Sequence, residues 1–268
     1  MAGGGKERGG QRRQRPGRRP ERPVRQPVED SFEPIALAGD AADPLGLLDR
    51  LLYRDDHIIV LDKPAGLAVH AGPKGGLTLE DGLEALRLGG PRRPGLAHRL
   101  DKDTSGCLVL GRDRETLNRL GRMFHSGRVQ KTYWAVVEGH PKTDRGRIAL
   151  NLSKRTKGRG WWMRVDPKGQ PAETFFQVLG RSDRFSFLEL SPKTGRTHQL
   201  RVHCSTKGWP ILGDPIYGKG VAGGPRLHLH ARSIALPGGK GQKAVTVTAP
   251  VPEDMAAALR LCGWEGET

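Results

Sequence analysis

Short apolar runs of strand type, unevenly spaced and separated by few helical patterns, constrain the fold of this chain more than any other feature. The run 129–139, VQKTYWAVVEG, alternates, with Tyr133 and Val137 on one face and Trp134 on the other. Such an order predicts an α+β fold, because strands and helices would alternate regularly in a doubly wound parallel sheet. The same reasoning predicts further strands at 57–64, 174–179, 185–190, 228–236 and 244–248, and helices at 78–88, 113–127, 196–207 and 252–261.

A single carboxylate is the first candidate for chemistry. The segment 98–106, HRLDKDTSG, places Asp101 between Arg99 and Lys102, at a turn before the next apolar run. A neighbouring cation favours the ionised carboxylate, and a partly desolvated carboxylate can act as a nucleophile or a base. The alternative interpretation is a turn aspartate that caps its own backbone beside a solvated arginine.

The charge of the chain indicates its partner. The 268 residues carry a formal net charge of +16, which predicts a polyanionic partner, either nucleic acid or an anionic membrane surface. No apolar run approaches the ~18 residues that span a bilayer, and no apolar segment of the kind that a signal peptide requires follows the basic N-terminus. The 3 cysteines are scattered, as in proteins of a reducing compartment. We therefore expect a cytoplasmic protein with no membrane segment.

Composition divides the chain into three parts. Residues 1–27 contain Lys6 and eight arginines against Glu7 and Glu21, and we expect this arm to be disordered because it has almost nothing apolar to bury. Its predicted role is to bind RNA, and the alternative is a solubilising tail. Residues 28–50 are predicted to be a linker with a short amphipathic turn near Leu45–Leu52, and residues 51–268 a single folded domain.

A second basic segment combines cations with tryptophan. The segment 153–169, SKRTKGRGWWMRVDPKG, surrounds Trp161 and Trp162 with six cations. Cations bind phosphates and indoles stack on bases, so the segment predicts a hairpin that contacts RNA. A solvated basic loop with its tryptophans packed on the sheet is an equal alternative. The candidate RNA-binding side chains are Lys154, Arg155, Lys157, Arg159 and Arg164.

Late histidines raise the question of a metal site. His198, His203, His228 and His230 lack Asp, Glu or Cys partners at ligand spacing. We interpret His228 and His230, which fall on the same strand face, as packing or hydrogen-bonding residues, and we predict that the chain holds no metal.

Four motifs, in the same order, resemble those of the RluA family of pseudouridine synthases. HRLDKDTSG is similar to the family's HRLDxxTSG signature, and DKPAGLAVH at 62–70 is similar to its first motif. KTYWAVVEG at 131–139 resembles its tyrosine-bearing strand. TGRTHQLRVH at 194–203, followed by PILGDPIYG at 210–218, resembles its late motif. Four matches in register make the resemblance specific.

This resemblance implies a fold and a reaction. The expected fold is a mixed, mainly antiparallel sheet with flanking helices and a central catalytic cleft. The expected reaction isomerises uridine in RNA: the N1–C1′ bond breaks, the uracil turns, and C5 is joined to the sugar. Such a reaction needs neither an organic cofactor nor a metal. By family association the substrate is ribosomal RNA of the large subunit or tRNA. Many members of the family carry an N-terminal S4 RNA-binding domain, but here we expect the basic arm at 1–27 in its place, which is a departure from the family pattern. We expect a monomer.

The resemblance also assigns the site residues. Asp101 corresponds to the catalytic aspartate, and Arg99 to the arginine that fills the space of the flipped nucleotide. Tyr133 corresponds to the tyrosine that stacks on the base, and Arg201 to the arginine that pairs with the catalytic carboxylate. Two other functions stay open. One is a catalytically silent RNA-binding protein on the same fold, and the other is an RNA chaperone in which the N-terminal arm acts and the folded part is scaffold.

Overall fold

A computed structural model describes residues 1–4, 43–72, 75–157, 160–238 and 243–266, without the side chains of 156–161. Nearly all of the predicted arm at 1–27, and residues 28–42 of the predicted linker, lie outside this described part. Within it, no helix is both long and apolar enough to cross a membrane.

Eleven strands of the described chain form one sheet. The strands are β1 (Leu51–Arg54), β2 (Ile58–Lys63), β3 (Gly95–Leu96), β4 (Ser105–Gly111), β5 (Gln130–Glu138), β6 (Arg145–Lys157), β7 (Gly160–Val165), β8 (Gln170–Arg181), β9 (Phe185–Pro192), β10 (Leu229–Leu236) and β11 (Val245–Thr248). Their order is β1-β2-β4-β10-β5-β9-β8-β6-β7, with β3 beside β4 and β11 beside β10. The pairings between these strands are antiparallel, except for the parallel β4–β10 pair. The predicted α+β class, with a mixed and mainly antiparallel sheet, is therefore confirmed.

Helices cover the sheet, and capping residues fix where they begin. The α-helices are α1 (Arg114–His125), α2 (Gln199–Thr206) and α3 (Glu253–Leu261), and the 3-10 helices are Leu48–Arg50 and Leu79–Arg87. Asp113, the predicted N-cap of α1, accepts a 2.8 Å hydrogen bond from the Thr116 N–H. Thr78 and Asp81 form a capping box at the longer 3-10 helix. The four helices predicted from the sequence are all present, one of them as 3-10.

Alternation along the strands separates two core layers. On β4, Leu108 and Leu110 pack against the longer 3-10 helix, whereas Cys107 and Val109 pack against α1. On β5, Ala135 and Val137 pack against α2, whereas Val136 packs against α3. Tyr133 contacts the layers that contain the longer 3-10 helix and α2, so these two helices cover the same face of the sheet. This is the face on which Tyr133, a predicted site residue, lies.

Two features were not anticipated. Leu47, inside the predicted linker 28–50, is fully buried and packs in the same core layer as Leu79 and Leu108. The packed domain therefore begins before residue 51, because an apolar side chain at this position completes its core. β6 begins at Arg145, before the hairpin predicted at 153–169. The buried side chains of Ile148 and Leu152 alternate with more polar neighbours, so this part of the strand was also visible in the sequence.

Candidate active site

A buried lysine holds the loop that carries Asp101, between β3 and β4. Lys63 ends β2 and is fully buried. Its ammonium donates to the carbonyl oxygens of Pro64 and Leu67 at 2.7 and 2.8 Å. A third bond, of 3.0 Å, reaches the carbonyl oxygen of Lys102, the neighbour of Asp101. Burial lowers the pKa of Lys63 to about 8, and the three carbonyls replace the water that this cation has lost.

Close contact between β4 and β10 fixes the other end of the loop. Gly106 has φ +103°, and a Cβ there would lie 2.3 Å from the carbonyl oxygen of Ala231. Glycine is therefore required where the two parallel strands meet. Beside it, Ser105 Oγ and His230 Nδ1 are 2.9 Å apart, which ties the start of β4 to β10. The turn that presents Asp101 is anchored on both sides.

One cavity, of about 100 Å³, brings the four predicted active-site residues together. Arg99 and Asp101 come from the loop before β4, Tyr133 from β5 and Arg201 from α2, and all four line this cavity. A larger cavity, of about 960 Å³, is lined by Lys63, Asp103 and Arg226 among others, and by none of these four. The smaller cavity is the better candidate for the active site, because a carboxylate, a phenol and guanidinium groups converge there.

Arg201 makes its closest contacts with Asp214, and its contact with the predicted partner, Asp101, is longer. It is almost completely buried, and it donates through Nε and Nη2 to the two carboxylate oxygens of Asp214 at 2.8 and 2.7 Å. Its remaining Nη1 lies 3.9 Å from Asp101 Oδ2. Burial alone would lower the pKa of Arg201, but the hydrogen bond and charge of Asp214 raise it above its usual value. Asp214 therefore holds the guanidinium, which presents its free edge to Asp101.

His198 is a second neighbour of Asp101, and sequence reasoning gave it no role at the site. Its Nε2 lies 3.9 Å from Asp101 Oδ2, and its Nδ1 lies 2.9 Å from Tyr217 Oη. The residue caps α2 with φ +51°, a conformation that is uncommon for a residue with a side chain. Burial lowers the pKa of His198, although the charge of Asp101 opposes this. The imidazole is therefore neutral near pH 7.

The phenol of Tyr133 is held in its neutral form. Burial, and then the charge of Asp101, raise the pKa of Tyr133 above its usual value. A neutral phenol beside a carboxylate offers a ring for stacking and an O–H donor, but it is not a phenolate base. This state fits the stacking role that the resemblance implies.

Positive charge surrounds the single carboxylate of this cavity. Among the described lining residues, Asp101 carries the one negative charge, while Arg99, Lys131, Arg196 and Arg201 are cations. Burial and then Lys193 lower the pKa of Lys131. Cations crowded in this way attract a polyanion, so the electrostatics of the site favour a nucleic acid.

β6 and β7 form the hairpin that was predicted to contact RNA. The Arg155 guanidinium lies 5.6 Å from the centre of the Trp162 ring, and Lys154 is exposed. Arg164 pairs with Asp166 at 3.1 Å. The side chain of Lys157 and all of Arg159 lie outside the described residues. The Met163 N–H donates to Tyr217 Oη at 2.8 Å, which connects β7 to the site.

The late histidines bond to protein groups. His203 Nδ1 lies 3.0 Å from Thr174 Oγ1, and His228 Nδ1 lies 2.8 Å from the carbonyl oxygen of Arg226. Within the described ranges, no group of three or more His, Cys, Asp or Glu side chains could hold a metal ion.

Four residues important to this geometry, all within the quoted motifs, received no predicted role. Lys63 belongs to DKPAGLAVH, His198 to TGRTHQLRVH, and Asp214 and Tyr217 to PILGDPIYG. For Lys63 the usable signal was a lysine at the end of a mainly apolar strand, next to Pro64. The other three act through contacts between residues 13 to 19 positions apart, which no local pattern predicts.

Comparisons with known proteins identify the class. The fold of this chain resembles that of a structure titled Human RNA Pseudouridylate Synthase Domain Containing 4. That structure matches with a TM-score of 0.67 and 28% identity over 81% of this chain and 94% of its own. The fold and site together define an RNA pseudouridine synthase.

Sequence relatives and a family model then place the chain. The model described as RNA pseudouridylate synthase matches residues 57–206. A protein of Zymomonas mobilis named as an uncharacterized RNA pseudouridine synthase is 42% identical, over 77% of this chain and 95% of its own length. Ribosomal large subunit pseudouridine synthase C of Vibrio vulnificus is 38% identical, over 80% of this chain and 69% of its own. This chain belongs to the RNA pseudouridylate synthase family, and it is an isomerase that converts uridine to pseudouridine in RNA.

Proposed function

We propose that this enzyme modifies uridine in large-subunit ribosomal RNA, with Asp101 as the catalytic carboxylate. One observation carries the proposal: Asp101, Tyr133 and Arg201, which are far apart in the sequence, line the same cavity. The Vibrio relative is named for the large ribosomal subunit, which supports this choice of RNA.

The reaction assigns a task to each group. The N1–C1′ bond of the target uridine breaks, a C5–C1′ bond forms, the C5 proton leaves, and N1 gains a proton. Asp101 is the nucleophile or the base for this exchange. Arg201, fixed by Asp214, places its guanidinium 3.9 Å from Asp101, where its positive charge offsets that of the carboxylate. The Tyr133 ring stacks on the uracil.

Access to the cavity requires that the nucleotide leaves its helix. A uracil stacked in duplex RNA cannot reach a side chain between strands and a helix, so the target base is flipped out. Arg99 is exposed at the cavity, where it takes the place that the flipped nucleotide leaves. Lys154 and Arg155 on the β6–β7 hairpin bind phosphates of the same RNA.

Mapping pseudouridines in cellular RNA, with and without this gene, tests the substrate. We expect one or more positions of large-subunit ribosomal RNA to lose the modification. If the lost position lies in tRNA, or if none is lost, the proposed substrate is wrong.

Complementing the deletion with Asp101→Asn tests the catalytic assignment. Asn keeps the shape of the side chain and removes its charge, so we expect no modification. Asp103→Asn is the matched control. It removes the same charge from the same loop, but Asp103 lines the other cavity. Modification that persists with Asp101→Asn would show that catalysis lies elsewhere.

A further inference from the structure

A chain of contacts leads from the β6–β7 hairpin to Asp101 through two side chains. The Met163 N–H donates to Tyr217 Oη at 2.8 Å, Tyr217 Oη lies 2.9 Å from His198 Nδ1, and His198 Nε2 lies 3.9 Å from Asp101 Oδ2. The Arg201 guanidinium also lies 5.2 Å from the centre of the Tyr217 ring. Tyr217 therefore contacts both neighbours of the carboxylate.

These contacts favour a proton on Nε2 of His198. Because Tyr217 Oη accepts from the Met163 N–H, its own proton is available to His198 Nδ1. Nδ1 is then the acceptor, and the proton of the neutral ring lies on Nε2, toward Asp101. An N–H that points at a carboxylate favours the charged form of that carboxylate.

The backbone also indicates that the position of this ring is imposed. His198 has φ +51°, and its side chain is only 11% exposed. A left-handed conformation is unfavourable for a residue with a side chain. Such strain persists only where surrounding contacts dictate it, and here they place Nε2 opposite Asp101.

We propose that His198 is a positioning residue for Asp101, and that Tyr217 acts through His198 by fixing the tautomer and orientation of its ring. This inference depends on the proposed role of Asp101. At 3.9 Å the His198–Asp101 contact is longer than a hydrogen bond, as is common in enzymes without substrate. The N–H shortens its distance to the carboxylate when RNA fills the cavity.

Among the residues that the structure describes, charged and titratable groups approach His198 from three segments. Asp101 and Arg99 approach from the loop before β4, Arg201 from α2, and Asp214 and Tyr217 from the segment after α2. Asp101 and Asp214 favour protonation of the ring, while Arg201 and Arg99 oppose it. His198 therefore acts as a neutral donor, and its effect should appear in the acid limb of the pH–rate profile, where the carboxylate takes up a proton.

Two substitutions at position 198 provide the test. His198→Gln keeps an N–H donor on a side chain of similar reach, whereas His198→Leu removes the donor. We expect His198→Leu to lower the single-turnover rate on large-subunit ribosomal RNA about 10-fold, the lower end for a hydrogen bond to a charged group. Its acid limb should move about half a pH unit higher. His198→Gln should keep both close to those of the wild type.

Combining substitutions tests whether Tyr217 acts through His198. Tyr217→Phe should shift the acid limb in the same direction as His198→Leu. The double variant should be no slower than His198→Leu alone, because a residue that acts only through another adds nothing once that one is lost. Independent, additive losses would overturn this part of the inference.

Further outcomes separate a structural role from a positioning role. A lower rate with an unmoved acid limb in His198→Leu, or equal losses in the Gln and Leu variants, would refute the proposal. If thermal melting shows that His198→Leu is unfolded, His198→Asn replaces it, because Asn tolerates positive φ but is too short to reach Asp101 from this position. Activity of Asp101→Asn in the same assay would instead refute the proposed catalytic role, so the two failures are distinguishable.

Discussion

Asp214→Asn isolates the energetic role of the buried ion pair that orients Arg201. Both side chains are almost inaccessible to water, with 3% of Arg201 and 0% of Asp214 exposed. Removing one partner of a buried pair costs about 3–5 kcal/mol, because the remaining charge is left uncompensated. Asn retains an oxygen for the N–H groups of Ile216 and Tyr217, which Asp214 accepts at 2.9 and 3.0 Å. We therefore expect the lower end, about 3 kcal/mol.

Thermal melting and single-turnover kinetics measure the two consequences. A loss of about 3 kcal/mol corresponds to a decrease in Tm of roughly 6–12 °C for a domain of this size. Pseudouridine formation should fall about 100-fold, because displacing a positioned group by about 1 Å has that effect. Burial raises the pKa of Asp214, but the hydrogen bonds and charge of Arg201 lower it below its usual value overall. The stability difference should therefore be complete above pH ~4 and shrink as the pH falls further.

Asp254→Asn is the matched control. Asp254 accepts from Nε and Nη2 of Arg226, in the same two-bond arrangement as Asp214 and Arg201, but 55% of its side chain is exposed. Water screens this pair, so its loss should cost less than about 1 kcal/mol. If both substitutions cost the same, burial does not determine the strength of the Arg201 pair and the reasoning is wrong.

Two further predictions concern Lys63 and the hairpin. The pKa of Lys63 is lowered to about 8 in the folded protein, so above that pH the unfolded chain binds more protons than the folded one. The free energy of unfolding of the wild type, relative to that of Lys63→Met, should therefore rise from pH 8 to pH 10 when it is measured by urea titration. A difference that does not depend on pH would contradict the buried charge. Arg155→Gln should weaken RNA binding and reduce the slope of log K against log salt by about 0.7–0.9. Arg164→Gln should change this slope less, because Asp166 already pairs with that arginine. Equal slopes for the wild type and Arg155→Gln would contradict a phosphate contact.

Local patterns in the sequence were enough for the elements and their faces. Alternation along β5 predicted which side Tyr133 occupies, and Asp113 marked the start of α1. These features depend on periodicity and capping, which act over a few residues. Local patterns predicted an amphipathic turn near Leu45–Leu52 but not that Leu47 belongs to the core, because so short an apolar cluster does not show which of its leucines is buried.

Motif order carried the prediction of the site further than composition did. It placed Asp101, Arg99, Tyr133 and Arg201 in one cavity, and all four line it. It paired Arg201 with Asp101, which lies 3.9 Å away, but it did not identify Asp214 as a closer partner, since a motif names residues and not the distances between their atoms. Asp214 became the main partner because its carboxylate meets the guanidinium with two short bonds in a buried position.

The sequence by itself determined most of the strands, the four main helices and the basic charge, and it singled out Asp101 as the candidate carboxylate. Only the tertiary structure decided what surrounds that carboxylate. Lys63, His198 and Tyr217 reach it through contacts between segments that the folded sheet brings together. The physical reason is that periodicity and turn chemistry act along a few residues of chain, whereas the charge state and orientation of a buried group depend on atoms within a few ångströms, wherever they lie in the sequence.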